Sequence, residues 1–103
     1  MKKDFDTLAD NIRIWGRKRG INNPDKQTMK VVEETSEIVR EIVRGRYDSE
    51  ELKDSIGDSL VTIIVLADIL KIDPLECLDM AYQTIKERDG ALIDGTFVKS
   101  EDL

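Results

Sequence analysis

Apolar residues recur every three or four positions through most of this chain and give way to short alternating runs near its end. Phe5, Leu8, Ile12 and Trp15 form one stripe, which predicts a helix from about Asp4 to Arg19. Gly20 is its stop, and Asn22-Asn23-Pro24-Asp25 reads as a loop and a new helix start. A second helix follows from about Asp25 to Arg44, with Met29, Val32, Val39, Ile42 and Val43 facing inward. Arg40 and Arg44 suit its C-terminus and Gly45 closes it. Ser49 before Glu50-Glu51 predicts the cap of a third helix running to about Lys71. Leu60 to Ala67 within it is apolar on nearly every side, as in a helix surrounded by protein. Asp73-Pro74 opens a fourth helix that ends near Arg88.

Beyond it, Asp94-Gly95 separates two β-type runs, Ala91 to Ile93 and Thr96 to Val98, the strongest short-range hairpin signal. The pattern predicts one all-α domain over 1–103, a four-helix bundle with a hairpin tail at about 91–99. No internal repeat or low-complexity segment interrupts it. An isolated hairpin is marginal in water, and so small a monomer has too few elements to enclose the third helix. Self-association, as a homodimer or homotetramer, is therefore expected to complete the bundle.

Composition narrows the chemistry. With 103 residues and 40% apolar content there is enough for one core. A net charge of −6 argues against a surface that coats a nucleic-acid polymer, which is normally basic. Histidine is absent, which removes a His base, a Ser-His or Cys-His pair and a His-ligated zinc site. The single cysteine, Cys77, cannot form an intrachain disulfide; it fits a reducing, cytoplasmic setting and reads as a small core residue. Met1-Lys2-Lys3 leads into acidic and polar residues rather than an apolar signal segment. The longest apolar stretch, Leu60 to Leu70, is too short to span a bilayer.

The candidate chemistry lies in carboxylates. Glu33 and Glu37 are four apart, Glu34 and Glu37 three apart, and Asp54 and Asp58 four apart, spacings that share a helix face. Like charges gathered in this way repel unless a cation sits among them. A hard divalent ion on oxygen ligands, Mg²⁺ above all, serves phosphate chemistry. The plainer account is a solvated acidic face, with Glu33, Glu34, Glu37 and Glu41 paired to Lys30 or Arg40. Asp58 fits that account less well. It enters an apolar helix, where an unpaired carboxylate is costly, and needs either a metal or an arginine beside it. Ser55 and Gly57 next to it leave room for a ligand.

Glu33-Glu34-x-x-Glu37, then about twenty residues, then Gly57-Asp58 entering an apolar helix, resembles the MazG-like all-α nucleoside triphosphate pyrophosphohydrolases. Gln27-Thr28-Met29-Lys30 before the acidic motif and Ile85-Lys86-Glu87-Arg88 at the end of the fourth helix fit the same family. Asp94-Gly95-Thr96-Phe97-Val98-Lys99 looks like its short phage and prophage members. The resemblance implies Mg²⁺-dependent cleavage between the α and β phosphates of a (d)NTP, with Mn²⁺ as a substitute. It implies metal binding through E-x-x-E and E-x-x-D pairs, which fall on Glu34 and Glu37, and on Ser55 and Asp58. Ser55 departs from the expected glutamate. Asp54 and Glu33 are the candidate replacements, although Asp54 is one residue off, about 100° around the helix.

By the same resemblance, Glu34, Glu37 and Asp58 would hold one or two ions on the triphosphate while water attacks the α phosphorus. Glu33, Glu37 or a metal-bound hydroxide would take the proton. Lys30, Lys86 and Arg88 are candidate phosphate contacts, the last two from the same or a neighbouring subunit. Their plain alternatives are a Lys30–Glu34 pair and a basic last turn that complements the helix dipole. Trp15 could stack on a base or belong to the core, and Gln83 could read a base or sugar edge. Two other functions remain open: a non-catalytic nucleotide-binding relative that lost turnover through Ser55, and a helical interaction module with an acidic stripe.

Overall fold

The computed structural model describes residues 4–103; Met1-Lys2-Lys3, part of the leader expectation, lie outside them. Four helices form where expected: α1 (Phe5–Lys18), α2 (Pro24–Val43), α3 (Glu50–Ile69) and α4 (Pro74–Ile85). Each start is fixed by a side chain that satisfies a free backbone N–H. Asp4 accepts from Thr7, Asn23 from Lys26, Ser49 from Leu52 and Asp73 from Leu75, at 2.8, 3.1, 3.0 and 2.9 Å. Helix α4 ends one turn before Arg88, because the chain tightens there: the Arg88 N–H donates to the Ile85 carbonyl at 3.0 Å.

The tail is an antiparallel hairpin of β1 (Gly90–Ile93) and β2 (Thr96–Lys99), pairing Gly90 with Lys99 and Leu92 with Phe97. Asp94 and Gly95 take φ of 49° and 81°, the positive values that a two-residue turn of this twist requires. A Cβ on Gly90 would stand 2.5 Å from the Phe97 ring, so this ring lies directly over bare backbone. A single 3₁₀ turn (Ser100–Asp102) follows.

Helix α3 is the centre of the body. Helix α2 packs along it, and α1 crosses it where Gly16 meets Val65. Ala9, Leu52, Ile64 and Val65 are the buried apolar residues. An Arg17–Asp68 pair, bonded at 2.9 and 2.6 Å, ties α1 to the last turn of α3.

Polar contacts near both ends of α2 fix its antiparallel register on α3. At one end Glu41 accepts from the Ser49 hydroxyl at 3.0 Å and from Arg46 at 3.5 Å. At the other, the Gln27 amide donates to the Thr62 carbonyl at 3.1 Å. Gly45, at φ 72°, lets the connection turn sharply enough for the Arg46 N–H to reach the Glu41 carbonyl at 2.9 Å.

Several expected core positions are open to solvent in the single chain. Leu8, Trp15, Met29, Val32, Val39, Ile42 and Val43 are exposed, as are Ile56, Leu60 and Ile63 of α3. Cys77 is exposed as well, which corrects its reading as a core residue. Asp58, too, is exposed rather than buried. Helix α3 covers one face each of α1 and α2, and α4 touches it only slightly, so the outward faces of these helices have no cover among the described residues. Periodicity identified the apolar faces correctly but not which of them a single chain can cover. The Cα radius of gyration is 16.2 Å, against about 13 Å for a compact chain of this length.

Candidate active site

Gln27, Glu34 and Glu41 are seven residues apart on α2, so they line one face of the helix. The buried outer two mark this face as the one against α3. Opposite it, α3 presents Leu52, Ser55, Ser59 and Thr62, all buried. The three hydroxyls donate back to the carbonyls of Glu51, Ser55 and Ser59 at 2.8, 2.8 and 2.7 Å. The seam is thus a polar stripe in layers. Its two end layers are satisfied by protein, Gln27 on Thr62 and Glu41 on Ser49 and Arg46. The middle layer, Glu34, makes no side-chain hydrogen bond or ion pair among the described residues.

Glu34 is half-buried and its carboxyl is held above the ordinary glutamate value. Desolvation is the main cause, followed by the negative charges of Asp58, Glu37 and Glu33; Lys30 opposes them weakly. The α2 motif and Asp58 of α3 therefore act on one point, midway along the seam. Ser55 and Ser59 are the small α3 residues of this face.

The remaining candidates sit around this point or away from it. Lys30 contacts Glu33 at 3.3 Å rather than Glu34, and Arg40 lies 3.9 Å from Glu37. Ser55 is committed to the backbone. Asp54 borders a shallow depression with Glu50 and Glu51 and is not among the charges that perturb Glu34. Trp15 is half-exposed on α1 with the Arg19 guanidinium 5.5 Å from its ring centre, a cation–π contact. Gln83 donates to Asp79 at 3.2 Å and shares a cleft of about 470 Å³ with Arg88 and Lys99. Lys86 caps α4, and neither it nor Arg88 pairs with a carboxylate of α2 or α3 among the described residues.

Sequence reasoning treated Glu41 as one more residue of a solvated acidic face, whereas it anchors the α2–α3 connection. The seven-residue spacing of Gln27, Glu34 and Glu41 carried that signal. No three Asp, Glu or Cys side chains among the described residues already converge as a metal cage. The donor set nevertheless suits a hard cation, because Glu34, Glu37 and Asp58 are oxygen ligands and the charges of Asp58 and Glu37 bear on Glu34.

No helix is long and apolar enough to cross a membrane among the described residues. No solved structure is detectably similar to the chain. It is 34% identical over 73 residues to an uncharacterized 18.2 kDa protein from the rep-hol intergenic region of Haemophilus phage HP1 (strain HP1c1). That match covers 68% of this chain and 44% of the phage protein, so the chain spans less than half the length of that relative. Residues 23–91, which include α2, α3, α4 and every carboxylate of the candidate site, match the MazG nucleotide pyrophosphohydrolase domain. The chain belongs to the MazG nucleotide pyrophosphohydrolase family.

Proposed function

We propose that this protein is a Mg²⁺-dependent nucleoside triphosphate pyrophosphohydrolase that converts a (d)NTP and water to a (d)NMP and pyrophosphate. The observation that carries this reading is Glu34: the layer of the polar seam without a partner among the described residues, its charge disfavoured first by burial and then by Asp58 and Glu37. A cation removes that cost and turns a poorly placed carboxylate into a ligand. Glu34, Glu37 and Asp58 would hold Mg²⁺. Bound there, it would neutralise the triphosphate and offset the charge that develops at the α phosphoryl group.

The chain's own groups have separate tasks in this reading. Glu37, or Glu33 once released from Lys30, accepts the proton of the water that attacks the α phosphorus, and the bond to the bridging oxygen of pyrophosphate breaks. Lys30, beside the acidic motif, contacts phosphate. Lys86 and Arg88 do so from the end of α4, and because α4 projects from the body they would serve a neighbouring copy. Trp15 and Gln83 are the base- and sugar-facing candidates. The protein works as a homo-oligomer in this account.

A binding-only relative is the second reading, and Ser55 favours it. Its hydroxyl is used by the Glu51 carbonyl, so the fourth carboxylate of the family pattern has no substitute at that position. Thermal stabilisation by Mg²⁺ with a non-hydrolysable dNTP analogue, measured beside pyrophosphate release, separates the two. Stabilisation with turnover supports the enzyme. Stabilisation without turnover, restored by Ser55→Glu, supports the binding relative, and an unchanged melting temperature removes both.

A further inference from the structure

Helix α2 rests on a part of α3 that defines its register weakly. Ser55, Ser59 and Thr62 are small, and their hydroxyls are spent on their own helix. Apolar knobs set into holes are what normally lock one helix on another. Here the buried apolar residues lie on α1 and α3, and α2 contributes none. The buried residues of α2 are two polar ones, Gln27 and Glu41. Glu41 reaches only the connection, at Arg46 and Ser49. The Gln27 amide donates to the Thr62 carbonyl at 3.1 Å, and this is the one side-chain hydrogen bond between α2 and α3 themselves among the described residues.

We infer that Gln27 is a positioning residue for the cation of the candidate site: by pinning α2 to Thr62 it holds Glu34 and Glu37 level with Asp58, and so sets the preference for Mg²⁺ over Ca²⁺. The inference rests on the metal-dependent reading above.

The pin is close to what it positions. Thr62 follows Asp58 by four residues on α3, and Gln27 precedes Glu34 by seven on α2, rises of about 6 and 10 Å. Sliding α2 by a single residue would carry Glu34 about 1.5 Å past Asp58. The two cations respond differently to such a displacement. Mg²⁺ demands near-ideal octahedral oxygen ligands at about 2.0–2.1 Å, whereas Ca²⁺ accepts a flexible shell at about 2.3–2.6 Å. A fixed register therefore matters most for the smaller ion.

The bond contributes little else. The Thr62 carbonyl sits inside α3 and accepts from that helix's own N–H four residues on. Replacing the Gln27 amide by an apolar side chain of similar length therefore orphans no buried group. A buried polar residue that fixes register without adding stability is a known device in paired helices.

The test is calorimetric titration of the full-length chain with Mg²⁺ and separately with Ca²⁺, beside urea unfolding in EDTA, for the wild type, Gln27→Met and Glu34→Gln. Gln27→Met should keep the unfolding midpoint of the wild type or raise it. It should lose about 10-fold or more in Mg²⁺ affinity and no more than about 2-fold in Ca²⁺ affinity. A Ca²⁺ loss as large as the Mg²⁺ loss, no loss for either ion, or a collapsed unfolding midpoint would make Gln27 a residue of the fold alone and overturn the inference. Failure of the metal reading itself looks different. Wild type and Glu34→Gln would then bind Mg²⁺ equally weakly, and both proposals would fall together.

Discussion

Glu41 and Glu34 lie on the same face of α2 seven residues apart, yet removing them should have opposite effects. Glu41 is buried, accepts from Ser49 at 3.0 Å and lies 3.5 Å from Arg46. A hydrogen bond to a charged acceptor contributes about 1.5–3 kcal/mol. The Arg46 contact, half-exposed, adds only about 0.2–1 kcal/mol. Glu41→Ala should therefore cost about 2–4 kcal/mol, a large share of the roughly 5–15 kcal/mol by which domains are stable. Glu41→Gln keeps an acceptor for Ser49 and should cost about 1 kcal/mol.

Glu34→Gln removes a charge that has no partner and is repelled by Asp58. It should leave the metal-free protein within about 0.5 kcal/mol of wild type, or more stable, while abolishing activity. Urea unfolding in EDTA at one fixed protein concentration measures all three. With a slope of about 1–3 kcal/mol/M, the midpoint for Glu41→Ala should fall by roughly 1 M or more. If Glu34→Gln proved more destabilising than Glu41→Ala without metal, the layered seam would be refuted.

Three further outcomes follow from particular contacts. The raised Glu34 pKa means that its charge lowers stability as pH rises above the ordinary glutamate value, and that the cost disappears on protonation. Mg²⁺ should move the Glu34 titration midpoint to lower pH, read by carboxyl-carbon NMR; an unmoved midpoint would place the metal elsewhere. Asp68 has the opposite sign, because its hydrogen bonds to Arg17 hold its pKa below the ordinary aspartate value. Its contribution is present above that value and lost as pH falls through the lowered pKa, and Asp68→Asn should cost about 1–2 kcal/mol at neutral pH in chemical denaturation. Lys71 closes α3 at φ 59°, a conformation that costs an L-residue about 1 kcal/mol; Lys71→Gly should raise stability by about 0.5–1 kcal/mol, seen as a higher melting temperature.

The parts of this structure that were legible in the chain are the locally determined ones. Ser49, Asp73-Pro74 and Asp94-Gly95 act on backbone within a few residues, and each produced the cap or turn that its chemistry dictates. What the apolar faces touch depends on distant elements. Val32 and Val39 therefore show the right spacing for a core, yet lie open on the side of α2 turned away from Gln27, Glu34 and Glu41. At the site, spacing grouped Glu33, Glu34 and Glu37 and the MazG resemblance joined Asp58 to them, and Glu34 is perturbed by the other three. It could not tell Glu41 from Glu34, since both are glutamates on one stripe. Only the packing of Ser49 and Arg46 against one of them separates structural from unpartnered charge.

The most direct test of the central claim is product analysis by phosphorus NMR. Wild type and Asp58→Asn would be incubated with a panel of NTPs and dNTPs, with Mg²⁺ and with EDTA. The account predicts equal amounts of nucleoside monophosphate and pyrophosphate from the wild type with Mg²⁺, and none with EDTA or from Asp58→Asn. Diphosphate with inorganic phosphate, turnover that survives in Asp58→Asn, or no turnover of any nucleotide by the wild type would contradict it.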